Sequence, residues 1–490
     1  MPLSGPPSAR WVLLATVLGS GIVMIDGTVV NVALPHIGAD LGSGFGGLQW
    51  VVNAYTLSLA SLILLGGSFG DHFGRRRVFL IGVTWFALAS VACGLAPTTE
   101  WLIIARALQG VGGALLTPGS LALISASFQG ADRAAAIGAW SGLGGIAGAI
   151  GPFLGGFLVE WSWRAVFWLN LPLAAVVIVV TMLHVPESRD EGSPPGLDIA
   201  GAALTALGLG TLTYGLTRVG NGESDVFAAV TICAGALSLA AFVVVERRSP
   251  HPLIPPRLFS DNIFRVTNVI TLLIYGALGA AFLLLVLQLQ TVAGFSPVAA
   301  GTALLPFTAV MLVFSARAGA LAARIGPRIP MTVGPLLAAG GLLLMTRIGP
   351  DATWLGDVLP AALAFGAGMV LVVAPLTTAV LDAAPRNMAG AASGVNNAVA
   401  RVGGLLAVAV LPGVAGISGA DYADPMAFDA GFHVAVGISA GLMVVAAVIA
   451  AVGIRRPRTP IADDRFRIDE CRHCAISGPP VHPTEARDAP

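Results

Sequence analysis

Fourteen apolar stretches, each about the length needed to cross ~30 Å of hydrocarbon as a helix, recur along the chain. They start near residues 11, 48, 78, 101, 134, 165, 197, 227, 266, 297, 330, 355, 390 and 432. In lipid every backbone N–H and C=O must find its partner inside the chain, so such stretches fold as helices. Composition agrees: 56% of the 490 residues are hydrophobic and 11% are charged, too apolar a balance for a water-soluble globule. The sequence therefore predicts an all-α integral membrane protein with 14 transmembrane helices. The run that follows Arg10 has no small-residue cleavage site leading into a polar domain, and is expected to be a retained first span.

An even number of spans puts both chain ends on one side. The loops on that side, with the N-terminus, hold fifteen arginines, among them Arg75, Arg76, Arg77, Arg247, Arg248 and Arg328. The opposite loops hold three: Arg164, Arg218 and Arg347. Basic residues stay on the cytoplasmic side, so both termini are expected in the cytoplasm and the protein in the cell inner membrane. Lysine is absent, the balance of 26 basic and 26 acidic residues gives no net charge, and no nucleic-acid partner is expected.

Internal repeats give the architecture. The stretch GSFGDHFGRRR, 67–77, aligns with GALAARIGPRI, 319–329, so that Gly67, Gly74 and Arg76 fall on Gly319, Gly326 and Arg328 at an offset of 252. The same offset lays GAWSGLGGIAGAIG, 138–151, on GAASGVNNAVARVG, 390–403. Two matches at one offset predict two six-helix halves with two further helices inserted between them. The expected division is 1–185, 186–262 for the inserted pair, 263–455, and a polar tail at 456–490. Parallel halves around a midplane cavity suit a carrier that alternates between two open states.

Four stretches resemble the major facilitator superfamily, and within it the fourteen-span drug:proton antiporters of the EmrB/QacA type. GGSFGDHFGRRRV, 66–78, is similar to the superfamily's loop motif; the resemblance implies that Asp71, Arg75 and Arg76 steady one gate conformation. IIARALQGVGGA, 103–114, resembles the fourth-span motif around Arg106. GGIAGAIGPFLGG, 144–156, resembles the fifth-span motif of antiporters, and MIDGTVVNVALPHI, 24–37, the first-span signature of the fourteen-span group.

The fifth-span stretch also has a physical reading. Gly144, Gly148, Gly151 and Gly155 recur at spacings of four, three and four, forming a flat stripe that another backbone can approach, and Pro152 removes a helix hydrogen bond. Such a face serves either as a gate or as ordinary close packing. The resemblance favours the gate. Asp26, about sixteen residues into the first span, is the acidic residue that stands well inside a span, and Arg106 lies near the start of the fourth. Buried charges in a bilayer are costly and are a functional signal. Asp26 is accordingly the expected proton carrier with Arg106 as its partner; the competing reading is a fixed ion pair that locks the first half.

Substrate contacts are expected from Asn31, Asn53, Tyr55, Gln109, Tyr275, Gln288, Asn396, Asn397 and Arg401, in a mostly apolar cavity that takes neutral or singly cationic amphipathic molecules. Arg401 has two readings, cavity-facing or closing the cytoplasmic side. The seven histidines fall in loops, span ends or the tail, and no carboxylate pair shares a span, so the expectation is a transporter and not an enzyme. CRHC, 471–474, is read as part of a flexible tail in preference to a metal site. The expected function is proton-driven efflux of amphipathic drugs or toxic small molecules, with a dedicated exporter of one endogenous metabolite as the alternative and a proton-coupled importer third. The expected partners are protons, the substrate and the lipid bilayer, for a monomer without cofactors.

Overall fold

The computed structural model describes residues 7–189, 197–249, 252–385, 388–419 and 424–454. The CRHC stretch and the tail lie outside the described residues. Among the described residues, fourteen helices are long and apolar enough to span a membrane: α1 Ala9–Leu41, α2 Phe45–Phe73, α3 Arg75–Gly94, α4 Thr99–Ser127, α5 Ala135–Val159, α6 Ala165–His184, α7 Ile199–Gly220, α8 Val226–Arg248, α9 Asn262–Val292, α10 Pro297–Ile325, α11 Arg328–Met345, α12 Trp354–Asp382, α13 Gly390–Val414 and α14 Pro425–Gly453. No strand occurs among the described residues. The expected starts hold to within a few residues, with one larger difference. α14 begins at Pro425 and not near 432, because Asp424 caps it through the Met426 N–H and Pro425 supplies a favoured first-turn residue. The helix thereby takes in Asp429, so Asp26 is not the sole acidic side chain drawn into a span.

The packing repeats. α1 lies on α5, α2 on α4 and α3 on α4; in the second half α9 lies on α13, α10 on α12 and α11 on α12. These are the same pairings displaced by eight spans, and they form two six-helix halves. The inserted pair is unequal. α7 rests in the seam where α2 meets α13, and its last turn is fixed by Asn221 donating to Gln49 Oε1. α8 packs chiefly on α7 and presents Val226, Val230 and Leu237 outward. Large apolar side chains such as Leu88, Ile104 and Leu183 likewise stand exposed on the perimeter, as a lipid-facing surface requires.

The halves touch most closely at the bundle end opposite residues 9 and 454. There a Cβ on Gly156 of α5 would strike the Pro297 carbonyl oxygen, and one on Gly301 of α10 would strike the Pro152 carbonyl. Gln49 donates to the Val408 carbonyl at 2.9 Å and Gln290 to that of Val32 at 3.0 Å. Toward the end that bears residues 9 and 454, α5 packs on α1 and α4, with Trp140 donating to Ser20 Oγ at 2.9 Å and Ala136 clustered with Ala9, but one of its faces is uncovered: a Cβ on Gly138, Gly142, Gly144 or Gly145 would meet nothing within 4 Å. The halves thus meet closely at one end, and at the other α5 leaves one face uncovered.

Candidate functional site

Inside the first half, five polar side chains from α1, α3, α4 and α6 meet with no more than 1% exposure each. Arg106 Nη1 donates to Asp26 Oδ2 at 2.5 Å and to Gln109 Oε1 at 2.6 Å, while its Nε donates to the Val51 carbonyl at 3.1 Å. Asp26 Oδ1 accepts from Gln109 Nε2 at 2.8 Å and from Asn170 Nδ2 at 2.9 Å, and both amides also reach Ser90 Oγ. The Arg106 guanidinium lies over the Tyr55 ring, 4.2 Å from its centroid. Asp26 therefore accepts from three donors and donates to none, the bonding pattern of an ionised carboxylate. Local sequence explains the placement of Asn170. α6 is broken at Leu169, between a short turn Ala165–Trp168 and the longer segment Asn170–His184, where Pro172 supplies no N–H; the second segment opens with Asn170 facing Asp26.

The loop between α2 and α3 is built on charge. Asp71 holds Arg75 at 2.8 Å one helical turn on. Gly74 turns the chain with φ +104°, a conformation that favours glycine. The first turn of α3 is then capped from another helix: Glu187, just beyond α6, accepts from the Arg76 and Arg77 backbone N–H groups at 3.0 and 3.2 Å. A carboxylate at a helix N-terminus complements the dipole there. Arg76 Nη2 donates back to the Met182 carbonyl at 2.8 Å. The loop motif thus ties α3 to the end of α6 within one half.

The glycine stripe faces α1. A Cβ on Gly148 would lie 3.6 Å from Met24 Cβ, one on Gly151 would collide with Thr28 Oγ1, and one on Gly155 would come 2.8 Å from Val29 Cγ2; Gly144 has no such neighbour. The adjoining face, with Pro152 and Gly156, is the one that meets α10 across the halves. Pro152 has no N–H for the carbonyl of Gly148 four residues earlier. Thr28 Oγ1 lies 3.0 Å from that carbonyl, within donating distance, joining the first-span signature to the fifth-span stretch.

The expected cavity residues divide. Gln109 belongs to the Asp26 network. Gln288 donates to the Ile348 carbonyl and to Asp429 Oδ1, fastening α9 to its own half. Asn396 donates to Thr271 Oγ1 at 2.7 Å and reaches Asn268, again within the second half, and Asn397 is exposed. Asn53 is fully buried with neither side-chain atom hydrogen-bonded, and Asn31 Oδ1 is buried without a partner. Arg401 of α13 lies within electrostatic reach of Tyr55 of α2 and Tyr275 of α9. Sequence reasoning missed Asn170, Ser90, Glu187 and the bonding role of Thr28. A lone asparagine in the apolar run WLNLP was the available signal for the first. For the network as a whole, the signal was the number of hydrogen bonds that a buried Asp–Arg pair must find.

Two six-helix halves around a buried ion pair are the arrangement to set beside known proteins. The sequence matches the Major Facilitator Superfamily over residues 16–408. The chain belongs to that superfamily. It is 38% identical over 405 residues to the multidrug resistance protein Stp of Mycobacterium tuberculosis, covering 82% of this chain and 75% of that one. It is 38% identical over 479 residues to the puromycin resistance protein of Streptomyces alboniger, covering 94% of each. Among solved structures, the POT family transporter PepTSo shares the fold with a TM-score of 0.65 at 16% identity, covering 91% of this chain and 97% of that one. Within the superfamily this is a multi-pass membrane transporter of the drug-efflux kind.

Proposed function

We propose that this transporter is a proton-coupled antiporter of the cytoplasmic membrane that exports amphipathic small molecules, with both termini in the cytoplasm, and works as a monomer. The observation that carries the reading is the Asp26–Arg106 pair, a carboxylate and a guanidinium held without solvent contact at mid-bundle. An ion pair in hydrocarbon is costly to build and is kept where its making and breaking does work. With the arginine-rich loops placed inside, the end at which α5 leaves a face uncovered is the cytoplasmic one. The structure is then the inward-open state, in which Asp26 has released its proton and closed on Arg106. In the outward-open state the pair opens and Asp26 takes a proton.

The gate is proposed at three places. Asp71 and Arg75 with Arg76 steady the inner end, the stripe Gly144, Gly148, Gly151 and Gly155 lets α5 slide on α1, and Pro152 meets Gly301 at the outer end. The substrate lies between Tyr55, Tyr275 and Arg401, near Asn31 and Asn53. The inserted helices, placed at 186–262, prop the seam between the halves at 1–185 and 263–455. Export of one dedicated metabolite is the second reading, favoured by the relative named for puromycin that aligns over 94% of both chains.

The test is transport in proteoliposomes with an imposed pH gradient, following proton flux with an internal pH dye beside the efflux of a neutral and a charged amphipathic fluorophore. Gradient-driven transport is expected for the native protein and lost in Asp26→Asn, with fluorophore binding retained. Equal coupled transport by both proteins would move the proton elsewhere.

A further inference from the structure

Arg401 is a charge within the spans that the proposed proton exchange does not use. Its Nε is buried, and it makes neither a hydrogen bond nor an ion pair with any described residue. Every other cation placed deep in the bundle has an answer: Arg106 is matched by Asp26, and Asp26 is spent on it. The remaining ion pairs lie toward helix ends, with Asp40 on Arg164 and Asp357 on Arg347, while Asp429 is taken by Gln288. The side chain is only partly exposed, so bulk water solvates part of the fork at most. A guanidinium in that position lacks an anion.

We infer that Arg401 is the anion subsite of the transport cavity and that the exported molecule is an amphipathic organic acid, an apolar or aromatic body carrying one carboxylate or acidic phenol. This rests on the efflux reading above and replaces the expectation of neutral or cationic substrates. A planar guanidinium is built to grip a carboxylate with two parallel bonds. Its neighbours suit the rest of such a molecule. Tyr275 of the second half is partly exposed and offers an aromatic face beside a hydroxyl, while Tyr55 of the first half is buried, its ring under Arg106 and its hydroxyl donating to the Val23 carbonyl, and backs the site from within. Because α13 touches α2 of the opposite half as well as α9 of its own, a ligand on Arg401 sits where the halves meet. The cavity then carries one net positive charge when empty and none when loaded. A cation would add to that charge, which disfavours it.

The experiment uses a coumarin carboxylate and its uncharged methyl ester, two probes alike except for the charge. Binding to the full-length protein in detergent is followed by fluorescence anisotropy, and transport in proteoliposomes by probe release. The native protein is expected to bind the carboxylate at least about tenfold more tightly than the ester, the range of one charge-assisted hydrogen bond. Arg401→Gln is expected to abolish that preference, the carboxylate binding no more tightly than the ester, while a native-like thermal unfolding midpoint in detergent reports a folded protein. Arg401→Lys is expected to restore part of it. Arg401-dependent carboxylate binding without any response to a pH gradient would sustain the anion subsite and remove proton coupling instead. A native protein that binds both probes equally, or an Arg401→Gln variant that keeps the carboxylate preference, overturns the inference.

Discussion

Replacing both members of the Asp26–Arg106 pair is expected to cost less stability than replacing either one. Arg106→Gln leaves a buried carboxylate that keeps two donors, Gln109 at 2.8 Å and Asn170 at 2.9 Å. Breaking a buried pair from one side costs about 3–5 kcal/mol, and the surviving bonds place this variant near the lower end, at about 3 kcal/mol. Asp26→Asn strands the guanidinium, which keeps the Val51 carbonyl, Gln109 Oε1 and the Tyr55 ring, for a similar loss. The double variant holds two neutral amides among hydrogen-bonding partners and buries no charge, so its cost falls to about 1–2 kcal/mol, in line with ordinary side-chain bonds between membrane helices. The coupling energy is then about 4–5 kcal/mol. Reversible unfolding in mixed micelles titrated with sodium dodecyl sulfate measures all four corners of the cycle. Costs that add to within about 0.5 kcal/mol would mean that neither charge is stranded by the loss of the other and that the pair is uncoupled.

Thr28→Val removes the hydroxyl that serves the Gly148 carbonyl, and is expected to lower stability by about 0.6 kcal/mol, whereas Thr28→Ser leaves it unchanged; thermal unfolding in detergent separates them. Glu187→Gln is expected to cost about 0.3–1 kcal/mol at low salt and less at high salt, since the carboxylate caps α3 at an exposed position. Gly301→Leu puts a side chain against the Pro152 backbone, where the closed end has no room for it. It is expected to shift the population away from this state, read as slower labelling of a single cysteine placed at Gly142.

The number of spans and their starts were legible because a bilayer fixes both the length and the apolarity of each helix, leaving few alternatives. α14 shows the limit: its start is set by the Asp424 cap and Pro425, not by hydropathy, so the apolar run alone placed it late. The ionisable residues Asp26 and Arg106 stood out by cost. Their partners Asn170 and Ser90 did not, because a neutral polar side chain in an apolar run looks the same whether it serves a neighbour or a ligand. Gln288 and Asn396 show the converse. Both are polar and within spans, and both turn out to be engaged within their own half. The glycine stripe was readable as a flat face, but the helix that covers it is a tertiary fact, and α1 covers most of it.

The burial of Asp26 bears on how proton and substrate exchange. Its oxygens are filled by donors of its own half and it exposes no surface, so a substrate in the cavity has no direct access to it. Communication runs through Tyr55, whose ring lies under Arg106 and within reach of Arg401. On the anion reading the sign of that communication is fixed. A proton on Asp26 leaves Arg106 uncompensated, deepens the positive field at Tyr55 and holds an anion on Arg401 more tightly. Efficient antiport then requires an order: the anion must leave the outward-open state before the proton arrives. Acidifying the release side is therefore expected to slow discharge of the coumarin carboxylate from preloaded protein, and to leave the ester unaffected. In Asp26→Asn, which carries no negative charge at that position, carboxylate affinity is expected to rise and to lose its dependence on pH. Both follow from Coulomb interaction across one tyrosine, and carboxylate release that speeds up with acid in the native protein would reverse the order of exchange.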